Sequence, residues 1–341
     1  MSDRKRHRDA GRNEETEPSG AGEPDGKIGR REAAIRVSQA VIAGAAVASG
    51  AGFFAGRAKA APSAPPIPDW RVKAAGAGAR ACAARGDDPA RNVRRVIAAL
   101  GGMESFVKKG DLVLVKPNVG WDRLPEQAAN TDPKVVAELV RACRAAGARK
   151  VVVADLSCND PRRCFTRSGI RAAAEEAGAE VLDGSQLRLV AAAIPGAADG
   201  LEVMEPLLQA TKVINVPIAK HHGLSRATLG MKNWFGVLGR GRNRLHQDID
   251  RTVAELGAVF RPTLTVIDAT RVLLGNGPQG GSLDDVRTVG AVCAGVDPVL
   301  CETWGAAQLD LKPRDLGFIG EAERRGLGVA DLAQVRELGK A

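Results

Sequence analysis

The sequence predicts an α/β fold: a mostly parallel sheet with helices on both faces, arranged as two α/β lobes. Three features carry that expectation. At 341 residues and 44% hydrophobic, the chain is long enough to bury one large core or two. Short, wholly apolar runs alternate with longer helical patterns, the order expected when crossover helices cover a parallel sheet. Several helical stretches open on Asp-Pro, where the carboxylate caps the first turn and proline occupies a position whose amide would have no helical partner.

Taken in order, Asp88-Pro89 opens a helix through residue 100, and the Leu/Val run at 111–115 is a buried strand. Thr131-Asp132-Pro133 opens a helix that stops before Gly147, and residues 150–154 form the next strand. A helix over 167–177 and a strand over 179–182 follow. The second half repeats the style, with strands at 212–216, 264–267 and 289–294, a helix over 249–260, and Asp297-Pro298 opening a helix to about residue 309. The expected domains are residues 75–200 and 201–341, reached through a Pro-rich linker at 61–74.

Residues 1–60 read as a twin-arginine targeting signal. Arg30-Arg31 precedes a weakly apolar run at 37–56, and Ala58-x-Ala60 offers a cleavage site after Ala60. The run has nearly the length that spans a bilayer, about 20 residues. Its glycines, with Ser38, Gln39 and Ser49, make it poorly apolar for a permanent anchor. The implied partner is the twin-arginine translocase, the destination is periplasmic or extracytoplasmic, and the membrane is met only in transit. Ala33 departs from the pattern, which favours a bulky apolar residue there.

Composition narrows the chemistry further. Tyr is absent, so no tyrosine serves as general acid. Residues 1–60 contribute +3 of the net charge of +9, leaving a mildly basic remainder with few aromatics and no nucleic-acid signature. No Cys-x-x-Cys pair occurs, so iron–sulfur and zinc-ribbon spacings are absent. Cys158 and Cys164 either close a short disulfide loop or remain thiols.

Ligands of open parallel sheets bind beyond the carboxyl ends of the strands. The residues that follow the expected strands are Lys116 and Asn118, then Asp155, then Lys220, His221 and His222, then Asp268. His246, Lys232 and Asn233 share a glycine-rich basic segment with the histidine pair, and Asn276 lies in a second glycine-rich loop. Such a set suits a small anionic ligand, bound by Lys116, Asn118, Asp155, Lys232, Asn233, Asp268 and Asn276. His222, His221 and Lys220 are the candidates for acid–base work. A divalent metal held by His222, His246 and Asp155 is the cofactor these residues suggest. The alternative reading is a non-catalytic accessory protein for a periplasmic redox or metal system.

The ordered set Lys116-Pro117-Asn118, Thr131-Asp132-Pro133, Lys150 to Asp155, Lys220-His221-His222, Met231-Lys232-Asn233-Trp234-Phe235-Gly236, Asp268, Gly275-Asn276-Gly277-Pro278 and Gly295-Val296-Asp297-Pro298 resembles the family catalogued as domain of unknown function 362, across roughly residues 75–330. That resemblance implies an α/β fold and no established activity. Many members of the family carry a ferredoxin-like module with closely spaced cysteines, a spacing not found here.

Overall fold

A computed structural model describes residues 64–72, 79–194, 201–239 and 242–340, a set that excludes the signal residues Arg30, Arg31, Ala58 and Ala60. The strands are β1 (Ala81–Arg85), β2 (Leu112–Pro117), β3 (Lys150–Ala154), β4 (Glu180–Leu182), β5 (Leu189–Ala191), β6 (Glu202–Met204), β7 (Lys212–Val216), β8 (Ile218–His222), β9 (Arg226–Thr228), β10 (Leu264–Leu273), β11 (Val286–Gly295) and β12 (Arg336–Lys340). A ten-stranded sheet runs β12-β1-β11-β10-β7-β2-β3-β4, with β8 pairing β10 and β9. From β10 to β4 the neighbours are parallel, whereas β11 runs antiparallel to both β1 and β10. Because β2 and β3 lie in the first half of the chain and β7 in the second, the boundary expected at residue 200 is no break in the sheet.

Strand alternation divides the core between the two faces. Val113, Val115, Ile214 and Val216 point to one side, where they pack with Val135 and Leu139 of helix α1 (Pro133–Ala145). Leu114 and Val213 point to the other, towards Val253 of α2 (Ile249–Val259) and Trp304 of α3 (Pro298–Gln308). Apolar residues on both faces of one strand are what helices on both sides of a sheet require.

The Asp-Pro caps form as expected. Asp132 accepts from the Lys134 amide and Asp297 from the Leu300 amide. Asp160-Pro161 is a further cap, accepting from the Arg163 amide and opening a helix over Pro161–Arg167. The helix expected at 167–177 forms over Ile170–Glu176, and the Pro161–Arg167 helix before it is an addition, the two being separated at Gly169, whose φ is 73°. All six cysteines are free thiols, and only Cys158 is exposed. Among the described residues no helix is long and apolar enough to cross a membrane.

Candidate functional site

The carboxyl ends of β2 and β3 and the end of β8 meet a short helix, Gly230–Asn233, and the segment after it. Between them lies a cavity of about 300 Å³ whose walls include Asn118, Asp155, Lys220, His222, Lys232 and His246. Its floor is a continuous polar chain. Lys116, fully buried, sets its Nζ 2.6 Å from Asp155 Oδ1 and donates to Asn233 Oδ1 (2.9 Å) and the Pro117 carbonyl (2.8 Å). Asp155 Oδ2 accepts from the Val119 amide at 2.7 Å, while Oδ1 is held by the lysine's charge without a well-directed hydrogen bond. Asn118 donates to Asn233 Oδ1 (3.0 Å) and accepts from Lys220 Nζ (2.9 Å), which also donates to the Ala129 carbonyl. Gly236 is required here, since a Cβ at that position would overlap both the Asp155 carboxylate and the Lys116 ammonium.

Three lysines so close to one another and so deeply buried do not keep ordinary proton affinities. Burial pulls Lys116 down despite the opposing attraction of Asp155. Burial, aided by the charges of Lys232 and Lys116, brings Lys220 to about 7. Lys232 falls to about 8, from burial first, with Arg242 adding to it and Cys158 opposing. The Lys232 Nζ sits 3.6 Å from the centroid of the Phe235 ring and has no hydrogen-bond or ion-pair partner among the described residues. Arg242 is fixed by donation to the carbonyls of Leu156 (3.2 Å) and Phe235 (3.3 Å).

The two cavity histidines have complementary roles. His222 Nδ1 accepts from the Leu224 amide at 3.1 Å and is 3.4 Å from the Ser225 amide, so the neutral ring carries its proton on Nε2 and is a donor. Burial, reinforced by Lys232 and Lys220, lowers His222 to about 3 and keeps it neutral. His246 Nδ1 lies 3.3 Å from the Asn243 carbonyl, which can only accept, leaving Nε2 with a lone pair.

Not every expected site residue arrives. Asp268 does not follow a strand: β10 continues to Leu273, and the carboxylate, buried in mid-strand, accepts from the Asp132 and Thr270 amides at 2.7 and 2.8 Å. Burial and the neighbouring Asp132 raise it to about 6. His221 lies outside the cavity wall, its Nδ1 accepting from the Gly277 amide at 3.0 Å, and Asn276 is exposed and donates to Asp285. No group of three His, Cys, Asp or Glu side chains among the described residues is placed to hold a metal ion. The expected set of His222, His246 and Asp155 thus shares the cavity without forming a ligand cluster, because Asp155 is committed to Lys116 and Val119.

The sequence reading missed Trp121, Phe235 and Cys158, all on the cavity wall. Trp121 and Cys158 each lie four residues beyond the end of β2 and β3, so a strand-end rule extended past the first residue or two finds them. A larger cleft, about 450 Å³, opens at the amino ends of β2 and β3, where Arg149, Lys150 and Gln209 are its polar side chains. Its position is the wrong one for a parallel-sheet ligand site, and no convergent network lines it.

Comparison with known proteins yields three findings. A family model described as "Domain of unknown function (DUF362)" matches residues 113–307. A thylakoid-associated protein of Synechocystis sp. is 27% identical over 244 residues, covering 69% of this chain and 74% of that protein. Among solved structures, the apoprotein of lactate racemase from Thermoanaerobacterium thermosaccharolyticum aligns with 12% identity and a TM-score of 0.32, over 67% of this chain and 58% of that one.

Proposed function

Since the chain belongs to the family described as Domain of unknown function (DUF362), a description that assigns no reaction, we propose its function from the cavity: it binds a small anionic ligand at the carboxyl edge of the sheet. The charge balance of the cavity carries this reading. Lys220, Lys232 and Arg242 line it against a single carboxylate, Asp155, which Lys116 already neutralises. Buried cations without counter-charge are costly, and an entering anion offsets that cost while accepting hydrogen bonds from groups already in place. His222 Nε2 adds a neutral donor, and a cavity of about 300 Å³ suits a ligand of metabolite size.

Proton linkage tests the reading. A bound anion favours the charged forms of Lys220 and Lys232, whose free values are about 7 and 8, so both are raised and protons are taken up on binding. Affinity is then greatest below pH 7 and falls as pH rises through 7 to 9, by at most about tenfold per unit for each proton taken up. Calorimetry with inorganic phosphate and with pyruvate, in buffers of different ionisation heat, measures both quantities. Affinity that is flat across this window, or no binding of either anion, would sink the proposal.

Export is proposed on the amino-terminal pattern alone: the pair Arg30-Arg31, the weakly apolar run and Ala58-x-Ala60. The double variant Arg30→Lys with Arg31→Lys should leave most of the protein as unprocessed cytoplasmic precursor. Fractionation and amino-terminal sequencing decide it: normal export of the variant removes the twin-arginine reading, and a mature terminus other than Ala61 moves the cleavage site.

A further inference from the structure

Lys116 and Lys220 are both tied down, the first by Asp155 and Asn233, the second by Asn118 and the Ala129 carbonyl. Lys232 is not. It is 6% exposed and lines the cavity, and among the described residues its Nζ has no hydrogen-bond or ion-pair partner and lies over the face of Phe235. Burial without an acceptor draws this amine towards its unprotonated, nucleophilic form, with the Phe235 face offsetting only part of the ammonium's cost. The residues around it select the electrophile. Arg242 presents a guanidinium to the same cavity, and an entering anion draws Lys220 to its ammonium form, so a carboxylate can be held beside the amine.

We propose that Lys232 forms a Schiff base with a small 2-oxo acid, the Nζ bonding to the ligand's ketone carbon while Arg242 and Lys220 hold its carboxylate. This deepens the anion-binding reading and rests on it. The unprotonated amine adds its lone pair to the carbonyl carbon, and the carbonyl oxygen takes a proton to become the hydroxyl of a carbinolamine. The nitrogen then sheds a proton, the hydroxyl leaves as water after gaining one, and a C=N bond remains. Amine plus ketone gives imine plus water, with no oxidant or reductant. His222 Nε2 and the Lys220 ammonium are donors on the cavity wall, and His246 Nε2 is an acceptor there. In the empty cavity Lys232 is lowered to about 8, so its unprotonated fraction near neutral pH is on the order of a hundredfold that of an ordinary lysine; a bound carboxylate, itself neutralised by Arg242 and Lys220, takes back part of that gain.

The test is reductive trapping on the full chain with pyruvate and sodium cyanoborohydride. The expected product is one adduct, on the peptide bearing Lys232, heavier by pyruvate less one oxygen atom. Acetone, the same ketone without the carboxylate, should label at least about tenfold less, the scale of one charge-assisted contact. Lys232→Arg should give no adduct at position 232, and Arg242→Gln should label Lys232 roughly tenfold more slowly. Absence of an adduct on Lys232 in the unaltered chain, equal labelling by acetone, or labelling spread over exposed lysines would each overturn the inference. Pyruvate that binds but cannot be trapped overturns the Schiff base and leaves the anion site standing. Failure of both pyruvate and phosphate to bind overturns both.

Discussion

Asp155→Ala should destabilise the folded chain by about 3–5 kcal/mol, the usual cost of stranding one partner of a buried ion pair. Lys116 and Asp155 have side chains 0% and 3% exposed, and the ammonium's other partners are an amide oxygen and a backbone carbonyl, neither of which carries a compensating charge. The substitution also leaves the buried Val119 amide without its acceptor. Replacing both members, with Lys116→Met and Asp155→Leu together, removes the uncompensated charge and should recover much of the loss. Urea unfolding of the two variants, compared at equal denaturant slope, measures this. A loss below about 1 kcal/mol for the single variant, the range of exposed pairs, would mean that water reaches Lys116 and that the floor of the cavity is not the closed network described.

How far the sequence reveals this molecule depends on whether the information is local. The Asp-Pro caps are local: an Asp carboxylate two or three residues from the amide it serves makes helices over Pro133–Ala145 and Pro298–Gln308 legible. Asp160-Pro161 carries the same local signal, opening the helix over Pro161–Arg167. Strand β1, Ala-Cys-Ala-Ala-Arg, has no β-branched residue and owes its conformation to pairing with β11 more than two hundred residues away, so no local pattern marks it. The end of β10 was misplaced for a related reason. Asp268, Thr270 and Arg271 look like the close of an apolar run, but long-range pairing with Val292 and Thr288 continues the strand through them. That moves Asp268 out of the site, while Asn118 and Asp155 immediately follow β2 and β3; Lys116 is the penultimate residue of β2, and Lys220 lies within β8, a strand that its Lys-His-His sequence does not announce. Lys232 and Asn233 were named from the glycine-rich segment, yet the lack of a partner for the Lys232 Nζ is a three-dimensional fact with no signature in the chain.

Glu302→Gln should gain stability relative to the unaltered chain as pH rises from 5 to 9. Glu302 lies on the buried face of α3, fully shielded from water, with Oε1 accepting from the Met231 amide at 2.6 Å and Oε2 unpartnered. It sits against the amino end of the Gly230–Asn233 helix, and Gly230 is obligatory there because a Cβ would come within 2.7 Å of Oε1. Burial raises this carboxyl from 4.5 to about 8, the two amide contacts opposing only in part. The folded chain therefore keeps the proton while the unfolded chain gives it up, and the folded state binds more protons between those two values. Stability contributed by this group is complete below pH 4.5, declines as pH rises, and is lost by about pH 8, a change on the order of 4–5 kcal/mol. Glutamine keeps the acceptor oxygen for Met231 and has nothing to titrate, so the unaltered-minus-variant difference in unfolding free energy should fall across that window and level off above it. A constant offset from an imperfectly placed amide does not change that slope, which makes the pH dependence, rather than the absolute stability, the quantity to read. The same titration bears on the ligand site, since Glu302 supports the backbone that presents Lys232 and Asn233 to the cavity. If the difference between the two proteins is flat from pH 5 to 9, Glu302 is ionised in the folded state and the protonated carboxyl beneath the site must be abandoned.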